Sequence, residues 1–114
     1  MENRIKTIVK AMDEKIARDI QVLEIGDLSS LCDYFIIGSA PSDRQVDAIA
    51  EFVEEEAQKN GMEVLNREGK RAGNWVLIDF GDIIVHVFQD EEREHYNLEG
   101  YWNKANRLDI EKYL

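Results

Sequence analysis

Few side chains in this sequence could do covalent chemistry. Ser39, Ser42 and Cys32 are the nucleophiles to weigh, and the two histidines, His86 and His95, are the bases available to them. No G-x-S-x-G elbow is present to lift a serine out of a sharp strand-to-helix turn. Cys32 lies in an apolar stretch, where a thiol is expected to be a small core residue and inert. Neither G-x-x-x-x-G-K-[ST] nor G-x-G-x-x-G occurs, so no phosphate cradle is expected. Metal ligation would have to use His86, in a strand, and His95, after a charged run, without the short ligand spacing such sites use. Glu54, Glu55 and Glu56 are consecutive on a helix and point in different directions. Asp79 and Asp82 sit on opposite sides of a turn, not side by side. These residues predict no catalytic, cofactor or metal site and direct attention to binding.

The binding candidates are Trp75, Leu77, Asp79 and His86, with Tyr96, Leu98 and Trp102 after them, all within residues 75–102, WVLIDFGDIIVHVFQDEEREHYNLEGYW. Two apolar runs, Trp75 to Phe80 and Ile83 to Phe88, are separated by Gly81-Asp82. That pair suits a two-residue hairpin turn because Gly accepts positive φ without steric cost. The turn fixes the register: Phe80 opposite Ile83, Ile78 opposite Val85, Val76 opposite Val87, all on one face of the sheet. The other face carries Trp75, Leu77 and Asp79 opposite Phe88, His86 and Ile84. Such a face is either a second core layer under the C-terminal segment or a partner surface, since large aromatics with acids compose interface hot spots. Tyr96 to Trp102 is too short to cover it all. Residues 89–94, GlnAspGluGluArgGlu, read as a charged turn able to steer a basic partner.

The elements that must position this hairpin follow from periodicity. Ile5, Val9, Met12 and Ile16, with Ile8 and Ile20 alongside, predict an amphipathic helix over 3–19. Residues 21–25 alternate and predict a strand closed by Gly26-Asp27. The continuous run Tyr34-Phe35-Ile36-Ile37 predicts a central strand over 33–39, buried on both faces. Pro41 then precedes Ser42, which with Gln45 forms a capping box. Val46, Ile49, Ala50, Val53 and Ala57 mark the buried face of a helix that ends before Gly61. A short strand is expected at 62–65 and a long polar, mobile loop at 66–74. Strand-helix-strand order over 33–65 implies a right-handed crossover, and the hairpin adds antiparallel pairing. The fold class is therefore a single α/β domain with a mixed sheet and helices packed mainly on one face. Residues 1–103 form the domain, and 104–114 a frayed-helical or disordered tail.

Composition bounds the rest. The 114 residues suffice for one core without staples. A lone cysteine fits a reduced, cytoplasmic compartment. No stretch nears the ~20 apolar residues of a membrane span, and the charged N-terminus reads as neither signal nor transit peptide. With 24 acidic against 14 basic residues, net charge −10 and pI about 4.6, binding to a nucleic-acid backbone is disfavoured. The charge either keeps the protein soluble or seeks a basic partner.

Four segments carry a family resemblance: D-Y-F-I-I at 33–37, S-D-R-Q-V at 42–46, W-V-L-I-D-F-G-D-I-I-V-H-V-F at 75–88 and R-E-x-Y-x-L-E-x-x-W at 93–102. In this order they resemble the Iojap-like family, the bacterial ribosomal silencing factors, over about residues 3 to 102. The resemblance implies a translational repressor active in starvation. Such a protein binds ribosomal protein fourteen of the large subunit at the intersubunit face and sterically blocks subunit joining, with no cofactor and no chemistry. A homodimer off the ribosome is open. The resemblance also implies a nucleotidyltransferase-like topology, in which a Gly-Ser such as Gly38-Ser39 precedes a strand with two carboxylates one residue apart. Here Leu77-Ile78-Asp79-Phe80 offers a single acid, so a nucleotidyltransferase-like enzyme is the alternative, with its metal carboxylates lost.

Overall fold

The computed structural model describes residues 1–69 and 74–114. The sheet has six strands in the order β3-β4-β5-β2-β1-β6. They are β1 (Arg18–Glu24), β2 (Tyr34–Ala40), β3 (Asn66–Glu68), β4 (Trp75–Asp79), β5 (Ile83–Gln89) and β6 (Asn106–Leu108). β2 and β5 pair in parallel at the centre and all other neighbours are antiparallel, so the sheet is mixed as expected. Both central strands are rich in β-branched and aromatic residues, which suit a pleated, doubly covered surface.

The hairpin has the expected register. Ile78 pairs with Val85, Val76 with Val87 and Leu77 with His86. The Phe80 N–H donates to the Ile83 carbonyl at 2.9 Å, and Gly81 takes φ 95° in the turn.

Helices α1 (Glu2–Glu14) and α2 (Asp43–Lys59) cover one face. Ile5, Ile8, Val9 and Met12 of α1 and Val46, Ile49, Ala50 and Val53 of α2 join Val76, Ile78, Val85 and Val87 in one core, each at most marginally accessible. Ser42 caps α2, its Oγ accepting from the Gln45 N–H at 3.3 Å. Both helices end in the same left-handed motif. In α2 the Gly61 N–H donates to the Gln58 carbonyl and the Met62 N–H to that of Ala57, with Gly61 at φ 78°. In α1 the Ile16 N–H donates to Asp13 and the Ala17 N–H to Met12, with Ile16 at φ 61°.

Five expectations are corrected. The first helix stops at Glu14 instead of running to 19, and Ile16 is 81% exposed, because the left-handed turn points it away from the stripe its spacing suggested. The strand expected at 62–65 lies at Asn66–Glu68, where pairing with Leu77 to Asp79 fixes it. The loop expected over 66–74 is thus shorter, and 70–73 lie outside the described residues. Residues 89–94 do not form a turn but open α3 (Asp90–Tyr96), because the Gln89 side chain accepts from the Glu91 and Glu92 N–H groups. The chain after Trp102 is neither frayed nor disordered: β6 pairs with β1, and the 3₁₀ helix Ile110–Tyr113 buries Tyr113 against the main core.

Candidate functional site: an aromatic groove on the open face

The second face of the sheet carries a smaller cluster, Leu23, Ile25, Cys32, Phe35, Ile37, Phe88 and Ala105. Trp75, Ile84, Leu98 and Trp102 lean on it half-buried. Its cover is partial, provided by α3 and by α4 (Leu98–Tyr101), a single turn whose N-cap Asn97 sits in the left-handed region at φ 47°.

Between hairpin and cover lies an apolar groove of about 560 Å³. Trp75, Leu77, His86, Tyr96, Leu98 and Trp102 all line it. The hairpin register aims the first three at this face, and the α3-to-α4 turn brings back the last three. Asp79 is the departure. Its Oδ1 accepts from the Gly81 N–H at 2.7 Å, so its carboxylate stabilises the hairpin turn and lies outside the groove. Leu31, Phe35, Ile84 and Tyr101 also line the groove. Sequence reasoning passed over Leu31, in a loop, and Phe35, taken as core, although alternation along β2 was a signal for Phe35.

The groove wall is a stacked aromatic set. Trp75 lies over Phe88 at a centroid distance of 4.9 Å and against Tyr96 at 4.6 Å. Phe35 meets His86 edge-on at 4.7 Å and Trp102 at 5.7 Å. The Trp75 indole N–H donates to His86 Nδ1 at 3.2 Å, which leaves the ring proton on Nε2. His86 is only 4% exposed, and burial pulls its pKa down from 6.5 to about 4, so the ring is neutral at physiological pH. Its Nε2 finds no partner among the described residues. Burial likewise pushes the Cys32 thiol up to about 11, which keeps it protonated and inert.

The rim is acidic. Glu91 and Glu94 are exposed on α3, while Asp90 pairs with Arg18 at 2.8 Å. Arg93, in the same run, points inward and is buried. One of its N–H groups donates to Ser39 Oγ at 3.1 Å. The Gly-Ser position is therefore engaged by a guanidinium, and β4, which lies beyond β5 in the sheet, offers only Asp79, committed to its turn. Among the described residues no three His, Cys, Asp or Glu side chains gather as a metal site, and no helix is long and apolar enough to cross a membrane.

A single α/β domain with a mixed six-stranded sheet is an architecture already seen in crystal structures. A Chromobacterium violaceum protein matches it with TM-score 0.88 and 32% identity, covering 90% of this chain and 86% of that one. A Bacillus halodurans protein matches with TM-score 0.84 and 37% identity, covering 96% and 99%. The family model described as "Ribosomal silencing factor during starvation" matches residues 1–114. The ribosomal silencing factor RsfS of Bacillus subtilis is 42% identical over 107 residues, 94% of this chain and 91% of that protein. The chloroplastic protein Iojap of Zea mays is 35% identical over 104 residues, 91% of this chain and 45% of that longer protein. The chain belongs to the RsfS/Iojap family of ribosomal silencing factors, which are not enzymes.

Proposed function

We propose that this protein silences translation by docking the aromatic groove on a basic protein of the large ribosomal subunit, ribosomal protein fourteen. Seated at the intersubunit face, it sterically blocks joining of the small subunit. The observation that carries the reading is the groove itself: about 560 Å³, walled by Trp75, Leu77, His86, Tyr96, Leu98 and Trp102, open to solvent on a small acidic domain. Exposed contiguous apolar surface rimmed by charge marks a protein-interaction site. Trp and Tyr at its centre are the residues that carry binding energy. Asp79, at the turn end of the same hairpin, contributes charge near the contact and not apolar wall. The acids of α3 speed encounter with a basic partner, and the net charge of −10 steers the domain away from exposed RNA phosphate. The protein acts in the cytoplasm. In the nucleotidyltransferase-like topology that goes with this reading, the Gly-Ser hydroxyl of Ser39 accepts from Arg93, and Asp79 alone stands where two carboxylates would be needed.

Sedimentation tests this directly. The protein is expected to travel with isolated large subunits and not with joined ribosomes, and its addition before small subunits should lower the joined fraction. Equal binding to joined ribosomes contradicts the steric mechanism, and Mg²⁺-dependent turnover of a nucleoside triphosphate contradicts a purely binding role.

A further inference from the structure

We infer that Arg93 is the positioning residue of the groove: its buried guanidinium locks α3 and α4 onto the β1–β2 end of the sheet in the arrangement that makes Tyr96, Leu98 and Trp102 a wall. The inference rests on the groove being the partner site. Arg93 is 6% exposed and is the one buried cation among the described residues. Its Nη1 donates to the Arg18 carbonyl and to Ser39 Oγ, both at 3.1 Å, and its Nη2 to the Asp19 carbonyl at 2.7 Å. Its Nε donates to Glu99 Oε2 at 3.1 Å.

Two of those acceptors exist because β1 is bulged. Its register against β2 breaks between Arg18 and Gln21, with Asp19 at φ 49°, and the carbonyls of Arg18 and Asp19 meet the guanidinium. Buried backbone carbonyls need donors, and a planar fork with five N–H groups serves acceptors in several directions as lysine's point charge does not. The fourth bond crosses the left-handed Asn97 to reach Glu99, and so couples the strand end to α4. α4 is a single turn with no fully buried residue, too short to hold its own shape. Neither Arg93 nor Glu99 lines the groove, so both act on binding only through the elements they hold.

The test is hydrogen exchange and binding to purified large subunits, measured on full-length Arg93→Met, Arg93→Lys and Glu99→Gln, with Trp75→Ala as a reference. With Arg93→Met, amides of residues 95–102 are expected to exchange about tenfold faster or more while those of β4 and β5 keep their protection, and binding should weaken about tenfold. Arg93→Lys should restore little of either. A general loss of stability would instead speed exchange throughout the sheet. If Arg93→Met fails to fold, Glu99→Gln carries the test, because it leaves the bonds to β1 and Ser39 in place and should free residues 98–101. Unchanged exchange over 95–102 overturns the inference, as does faster exchange with undiminished binding when Trp75→Ala has lost binding. Full binding by Trp75→Ala overturns instead the reading of the groove as partner site, and exchange still decides whether Arg93 holds α3 and α4.

Discussion

The two faces of the sheet are built from the same strands and differ in what each side chain is for. On the helix-covered face, Val76, Ile78, Val85 and Val87 are fully buried hydrocarbon. On the other, Trp75, Leu77 and Ile84 stay half-buried and His86 is the polar group among rings. Since neighbours in a strand point to opposite faces, β4 alternates stability residues with groove residues one position apart. The contrast teaches that folding and binding can be separated by substitutions at adjacent positions.

The largest expected effect is on the covered face. Ile78→Ala should cost ~2–5 kcal/mol of folding stability, a large share of the ~5–15 kcal/mol a domain has, read as a lowered urea midpoint. The folded fraction should still bind large subunits normally. Its neighbour Leu77→Ala should cost only ~1 kcal/mol in stability and weaken subunit binding about tenfold. Equal stability losses for the two would erase the difference between the faces.

Acid should probe the open face through His86. The ring's pKa is held down at about 4, against 6.5 in the unfolded chain, so the unfolded state takes up the proton first as pH falls. Stability is full above pH 6.5, is lost progressively down to about 4, and the loss then levels off at ~3 kcal/mol. His86→Phe should flatten that window in a urea-midpoint series against pH. Asp82 acts in the same direction, lower down. Its partner Arg4 depresses the carboxyl below 3.8, so that stability is present above 3.8 and lost below it.

Smaller effects lie outside both faces. Ile16→Gly should raise the melting temperature by relieving a left-handed β-branched residue, worth ~1 kcal/mol, with binding unchanged. Glu91, Glu92 and Glu94 replaced together by Gln should slow association at low salt and leave dissociation alone, because steering acts on encounter and is screened beyond the ~8 Å Debye length of 0.15 M salt.

How far the sequence revealed this arrangement depends on how local each determinant is. Gly81-Asp82 sets the hairpin register from two residues, and Ser42 with the spacing Val46-Ile49-Ala50-Val53-Ala57 defines α2 to within a residue. Six groove residues followed from that register together with the aromatics after it. What stayed hidden depends on distant partners. Arg93 sits in an acidic run, and its acceptors Arg18, Asp19 and Ser39 lie more than fifty positions away, so nothing nearby marks it as buried. The faint signal was Arg93 and Glu99 sharing one motif, six residues apart. Asn106 to Leu108 become a strand only because β1 offers an edge, and three residues carry no period to read. Ile16 kept the helical spacing while its backbone had already turned left-handed.

The central claim is that the open face is for a partner and not a second core, and Trp75 decides it because it stacks on Phe88 and Tyr96 yet stays half-exposed in the groove. The measurement pairs thermal melting with large-subunit binding on one preparation of Trp75→Ala. The expected result is binding weakened about a hundredfold, a loss of ~2.7 kcal/mol, with the melting temperature lowered by less than about 10 °C. A collapse of the melting transition, with the remaining folded protein binding as tightly as before, would show that Trp75 is core and that the partner face lies elsewhere.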